Sequence, residues 1–170
     1  MLRQIVILPF VFLSACGLGG TSPWGPADFS FADLRYTGDP NSACCGGAFS
    51  GGTVTEVSPT TGTGNYDGIM RGNLGSDYRN GTANVGVDFE AASVTVTGAI
   101  DFTGVATGDG IVSFNQTAPL AGSHFQSASA NGSVFGHLYG TNAEAVAGSI
   151  TANAVSGSLV VANFIAQAQP

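Results

Sequence analysis

The sequence predicts an all-β fold: a single eight-stranded antiparallel up-and-down β-barrel with a short N-terminal extension. Three observations carry this expectation. Apolar and polar residues alternate with a period of two at Thr82–Glu90 and Ser93–Phe102, the pattern of strands with one buried face. Turn-forming residues punctuate the chain at a roughly 10–13-residue spacing, as in antiparallel sandwiches and barrels. The composition, with 26 Gly, no Lys and only 9% charged residues, favours Gly, Thr, Ser and Val over the blend of Ala, Glu, Lys and Leu that a helical bundle wants.

In chain order, Met1–Ala15 (residues 1–15) reads as a lipoprotein signal peptide. Arg3 supplies the positive start and Ile5–Leu13 the apolar stretch. That stretch is far short of the ~20 residues a membrane-spanning helix needs. Leu13-Ser14-Ala15-Cys16 matches the bacterial lipobox. Small side chains there admit the chain to a narrow peptidase site, and Cys16 is the expected lipid attachment point. Acyl chains such as palmitate contribute ~0.8 kcal/mol per buried CH₂, and several make a durable anchor. Gly17, rather than Asp, is similar to the pattern of lipoproteins passed to the bacterial outer membrane. The processed chain keeps three Arg against 11 acids, a formal charge of −8. Such a surface repels anionic headgroups, so the lipid would hold the protein at the membrane. The same imbalance argues against nucleic acid, which requires a basic patch.

Residues 16–26 form a lipidated flexible tether rich in Gly, Ser and Pro. Residues 27–61 are a poorly patterned N-terminal extension, in which Phe29 and Phe31 alternate with polar neighbours. Cys44 and Cys45 lie here. Adjacent Cα atoms are about 3.8 Å apart, below the usual ~4.4 Å minimum for a disulfide. A strained vicinal disulfide, free thiols and pairing with another chain all stay open.

Residues 62–170 carry the regular pattern. Strands are expected at 64–71, 82–90, 93–102, 110–116, 123–130, 132–140, 145–152 and 157–166. In the second and third, Ala83, Val85, Val87, Phe89, Val94, Val96, Ile100 and Phe102 share the apolar face. Ala91-Ala92 suits the hairpin between them. Asn131-Gly132 is the strongest hairpin signal, because both central residues of a type I′ turn take positive φ. Asn80-Gly81 and Gly108-Asp109-Gly110 also read as punctuation. Eight strands can close on themselves and remove exposed edges. Asp88, Glu90 and Asp101 lie opposite the apolar rows, which favours a barrel apolar inside and polar outside over a lipid-embedded one.

Catalytic chemistry is hard to assemble. No G-x-S-x-G or phosphate-cradling loop is present. The pairs Asp88/Glu90 and Asp101/Asp109 read as solvated strand faces and turns. Asp67, Asp77 and Asp109 are read as lying in Gly/Asn-rich turns able to bind Ca²⁺ only weakly, since no loop repeats an EF-hand pattern. His124 and His137 are weak haem or metal candidates; beside Ser123, Gln126 and Ser133, a solvated strand face is the simpler reading. No cofactor and no metal site are expected.

The stretch Gly136-His137-Leu138-Tyr139-Gly140-Thr141-Asn142-Ala143-Glu144-Ala145-Val146-Ala147-Gly148-Ser149-Ile150 resembles the barrel signature of transferrin-binding protein B and its relatives, G-x-F-Y-G-P-N-A-E-E-V-G-G-T-F. Gly136, Tyr139, Gly140, Asn142, Ala143, Glu144, Val146 and Gly148 match. Leu138, Thr141, Ala145, Ala147, Ser149 and Ile150 depart. The resemblance implies a lipid-anchored barrel over 62–170 at the cell outer membrane, often surface-exposed. Relatives bind host iron proteins, haem carriers or complement regulators through loops and a handle domain. Only 27–61 is left for a handle here, so transferrin binding does not follow. The motif reads physically as a turn, with Gly140 at positive φ, Asn142 bonding local backbone and Glu144 capping. The expected function is a non-enzymatic binding module for a protein or an iron- or haem-bearing ligand, tied to iron acquisition. Barrel-end segments 72–80, 103–109 and 116–122 are the expected contacts. A structural or accessory envelope lipoprotein without a nutrient ligand is the alternative.

Overall fold

The computed structural model describes residues 36–37, 48–49, 54–105 and 110–169. The expected signal peptide, the tether, Cys16 and Cys44-Cys45 lie outside the described residues. Within the extension, β1 (Tyr36–Thr37) and β2 (Ala48–Phe49) pair antiparallel. Eight further strands follow: β3 (Thr63–Leu74), β4 (Asp77–Asp88), β5 (Ser93–Phe102), β6 (Gly110–Ala121), β7 (His124–Ser129), β8 (Gly132–Tyr139), β9 (Ala145–Asn153) and β10 (Leu159–Ala168). Each pairs antiparallel with its chain neighbours, and β10 closes onto β3 from Val161↔Asn73 to Ala168↔Tyr66. The ring is the expected up-and-down barrel, with no helix among the described residues.

Period-two patterning sets which side chains enter the lumen. Tyr66, Met70, Ala83, Val85, Val87, Val94, Val96, Ile100 and Phe102 are all buried in one apolar core. Phe114, Phe125 and Phe164 fill it from the other wall, each contributing about 1.5–3 kcal/mol on burial. Small residues let these rings fit. A Cβ on Gly148 would meet the Phe164 ring at 2.8 Å, and one on Gly136 the Phe125 ring at 2.5 Å.

One stretch of wall is apolar on its outer side as well. Tyr139, Ala145, Ala147 and Ile165 are fully or almost fully buried, with Ile69 packed against them. They alternate with the lumen-facing Leu138, Val146 and Phe164, so they belong to the outward rows of β8, β9, β10 and β3.

The narrowest seam lies between β6 and β7, which share only Leu120↔Phe125 and Ala121↔His124. β8 outruns β7 at this corner, and residues 54–55 take the vacated place. Val54 bridges Tyr139, and the Thr55 amide donates to Leu138 O at 2.9 Å. Attachment to the barrel therefore begins ahead of residue 62.

Several turn expectations need correction. Asn80-Gly81 is mid-strand, with Gly81 opposite Ile100. Its glycine serves packing, since a Cβ would meet Ile100 Cγ1 at 2.7 Å. Segment 72–80 is accordingly a hairpin tip, turning at Gly75-Ser76, and segment 116–122 is mostly β6. Neither is a long connection. The β7–β8 turn centres on Ala130-Asn131, because Ser129 pairs with Gly132. Only Gly132 of the expected pair has positive φ (139°), so the turn sits one residue earlier than the Asn-Gly signal implies.

Candidate functional site

The hairpin topology sorts every connection to one of two barrel ends. One end gathers turn 75–76, the segment after Phe102, turn 130–131 and turn 154–158. The other gathers 89–92, 122–123 and 140–144, together with the entry at Gly62 and the exit at Gln169.

The second end is stitched shut around the motif turn. Gly140 (φ 88°) and Ala143 (φ 59°) both take left-handed conformations. The Glu144 carboxylate accepts from the Asn142 amide at 2.9 Å and from Asn142 Nδ2 at 3.3 Å. It packs so closely over Gly140 that a Cβ there would land on Oε2. Tyr66 Oη donates to Ala143 O at 2.8 Å, Thr55 Oγ1 to Gly140 O at 2.8 Å, and the Ala168 amide to Glu144 O at 2.8 Å. One turn thus ties β3, β10 and the entering chain together. Burial, reinforced by the Glu144 charge, pushes the Tyr66 phenol up to about 12. Asp88 Oδ1 accepts from the Ala91 amide at 2.8 Å and so shapes the next turn. Acids Glu56, Asp88, Glu90 and Glu144 belong to this end, which has no arginine among the described residues.

The first end is different in kind. It exposes Tyr78 (59%), Ile111 (64%), Val155 (90%) and Leu159 (51%), four of the six exposed large hydrophobics among the described residues. Arg71 and Arg79, the two arginines among the described residues, also stand here. Arg71 Cζ lies 5.3 Å from the Tyr78 ring centroid, a cation–π contact on the surface. Arg79 Nη1 donates to Tyr78 O at 3.1 Å. Asp101 accepts from the Thr103 amide at 2.7 Å. Hydrogen bonds from Thr103, helped by Arg79, hold its carboxyl below the usual range. Tyr and Arg beside exposed aliphatics are the residue types enriched in protein interfaces. Of the expected contact segments, 72–80 and the described part of 103–109 fall on this rim, whereas 116–122 runs to the opposite end. Residues 106–109, Asp109 among them, lie outside the described residues. Sequence reading missed Ile111, Val155 and Leu159. The signal available was an apolar residue on the polar phase of a strand, or an apolar residue in a turn.

The two histidines face each other across the β7–β8 ladder, His124↔His137, with ring centroids 6.2 Å apart. Burial, and then the neighbouring His124, lower the His137 pKa. Among the described residues, no group of three or more His, Cys, Asp or Glu side chains gathers as a metal cluster. Asp67, expected in a turn, lies instead in β3, where its Oδ1 accepts from Asn84 Nδ2.

The fold defines a class: a closed eight-stranded antiparallel barrel with an apolar lumen and one sealed end. Within that class the chain is similar to surface lipoprotein and transferrin-binding protein B structures. A crystal structure of a surface lipoprotein aligns at TM-score 0.50 and 16% identity, over 81% of this chain and 78% of that one. Intact Ap-TbpB, with its N and C lobes, aligns at 0.50 and 15%, over 82% of this chain. The isotype 1 transferrin-binding protein B of serogroup B Neisseria meningitidis aligns at 0.49 and 13%, over 81% of this chain and 38% of its own. This chain spans only 37% of intact Ap-TbpB. The likeness bears out the expected fold. No family model and no curated protein matches the chain.

Proposed function

We propose that this protein is a non-enzymatic binding module. It is tethered to the outer membrane through lipidated Cys16, displayed at the cell surface, and presents the rim around Tyr78, Ile111, Val155 and Leu159 to a protein ligand. One observation carries the reading: the exposed apolar side chains and both described arginines concentrate on one barrel end. The chain enters at the opposite end, beside Tyr139, so a tether there leaves the rim free to face outward. The transferrin-binding protein B neighbours are binding proteins, and the shared fold supports this class of function without naming the ligand. An iron-bearing protein fits the same reading.

Two measurements test attachment and display. Labelled palmitate should enter the wild-type chain in living bacteria and not Cys16→Ala. Protease added to intact cells should remove the protein; protection would favour an accessory envelope component. A haem titration followed by Soret absorbance separates a haem-bearing ligand from a protein surface alone, and a flat spectrum removes free haem.

A further inference from the structure

We propose that His124 and His137 form a two-imidazole site for one late first-row divalent metal ion on the outer wall, with Cu²⁺ bound most tightly. The pair stands on the β7–β8 ladder and independently of the rim. Residues directly opposite on an antiparallel ladder share one face, so both rings rise from the same side of the wall. A metal–nitrogen bond of about 2.0–2.1 Å, plus the roughly 1.1 Å from ring nitrogen to ring centre, places two rings on one ion with centres at most about 6.4 Å apart. The observed 6.2 Å lies inside that reach, and a tetrahedral site, with ring centres about 5 Å apart, requires the exposed His124 ring to turn toward His137.

His137 is the positioned half. Phe135 meets its ring edge-on at 5.7 Å and Tyr139 at 6.3 Å, so aromatic packing holds the ring plane. Its Nδ1 is buried and has no hydrogen-bond partner, an uncommon state for a covered polar atom. Exposed His124 is the adjustable half. The row across the sheet runs Ala121, His124, His137, Ala147. Ala147 closes one flank of the pair, being fully buried, while the exposed Ala121 on the other leaves coordination positions for water or for a donor from a bound ligand. Imidazole without carboxylate or thiolate in the row suits Cu²⁺, Ni²⁺ and Zn²⁺, not Mg²⁺ or Ca²⁺. The same geometry disfavours haem held between the rings, because a porphyrin needs its two ligands on opposite faces, whereas these rise side by side from one sheet.

The test uses the full chain in detergent with its thiols alkylated, titrated with Cu²⁺, Ni²⁺, Zn²⁺ and Mg²⁺ by calorimetry. One Cu²⁺ should bind, more tightly than Ni²⁺ or Zn²⁺, with no Mg²⁺ binding. His124→Ala and His137→Ala should each weaken Cu²⁺ at least ten-fold, and electron paramagnetic resonance of the wild type should show two coordinated nitrogens. Because His124 is exposed, His124→Ala keeps the fold and the comparison stays readable if His137→Ala does not. Unchanged Cu²⁺ affinity in His124→Ala, or a one-nitrogen spectrum, overturns the site. Rim substitutions should leave Cu²⁺ affinity unchanged, so a failure of the rim reading would not be mistaken for a failure of this one.

Discussion

The two ends of this barrel are built from the same hairpin topology and do opposite things with it. At the motif end, left-handed Gly140 and Ala143 turn the chain so tightly that backbone carbonyls become acceptors for Tyr66, Thr55 and Ala168. The carbonyls of Gly140, Ala143 and Glu144 are matched within the chain. At the rim, Tyr78, Ile111, Val155 and Leu159 keep most of their apolar surface in water, a costly arrangement unless something else covers it. The contrast teaches that the motif that carries the resemblance and the exposed apolar rim stand at opposite ends. A resemblance carried by Gly136–Ile150 speaks for closure of the barrel, and the rim proposed for ligand contact lies at the other end.

The comparison breaks most easily at paired tyrosines. Tyr139→Ala, which empties a buried site, should cost about 3–5 kcal/mol in urea unfolding. Tyr78→Ala on the rim should stay within about 0.5 kcal/mol. Similar losses at both would show that the ends are not distinct.

Two glycines sharpen it. Gly140 (φ 88°) and Gly157 (φ 83°) have nearly the same φ, but a Cβ on Gly140 strikes the Glu144 carboxylate, and one on Gly157 meets nothing within 4 Å. Gly157→Ala should cost about 1 kcal/mol for conformation alone. Gly140→Ala should cost a further ~1–3 kcal/mol for the collision. Equal costs would mean that Glu144 simply moves aside.

A smaller effect follows at Tyr66, whose phenol ionises near 12 instead of 10.0. The unfolded chain loses this proton first as pH rises. The contribution is therefore intact below pH 10 and drains away as pH climbs toward 12. Tyr66→Phe should cost about 1 kcal/mol at neutral pH through the lost bond to Ala143, and should flatten the alkaline decline measured by chemical denaturation. The smallest stability change belongs to the rim triple Tyr78→Ser, Ile111→Ser, Leu159→Ser. Its melting temperature should stay within a few degrees of wild type while ligand contact is lost.

Much of the fold was legible because period-two alternation is a direct image of a half-buried strand. Ser93–Phe102 is a strand with the expected bounds, and its Val94, Val96, Ile100 and Phe102 are all fully buried. Turns were harder. Gly81 looks like punctuation, yet it sits in a strand, where a larger side chain would strike Ile100. Gly content alone does not separate a turn from a crowded lumen. At the motif turn Gly140 has the expected positive φ, but the Asn142 side chain, expected to bond local backbone, donates to the Glu144 carboxylate instead. The rim was not legible. Ile111 and Leu159 come to the same barrel end as Tyr78, each two strands away, only through the pairings β5–β6, β4–β5, β3–β4 and β10–β3, and closure of a ring is invisible in local pattern. The histidine pair was half legible: its strands could be named, but its register depended on a turn that lies one residue from its apparent signal.

The most direct measurement of the division between ends is site-specific photo-crosslinking in intact cells. A benzophenone side chain would replace Ile111 or Leu159 on the rim, and Glu90 at the sealed end. The account predicts discrete protein adducts from positions 111 and 159 and none from 90. Adducts from 90 with none from the rim would contradict it.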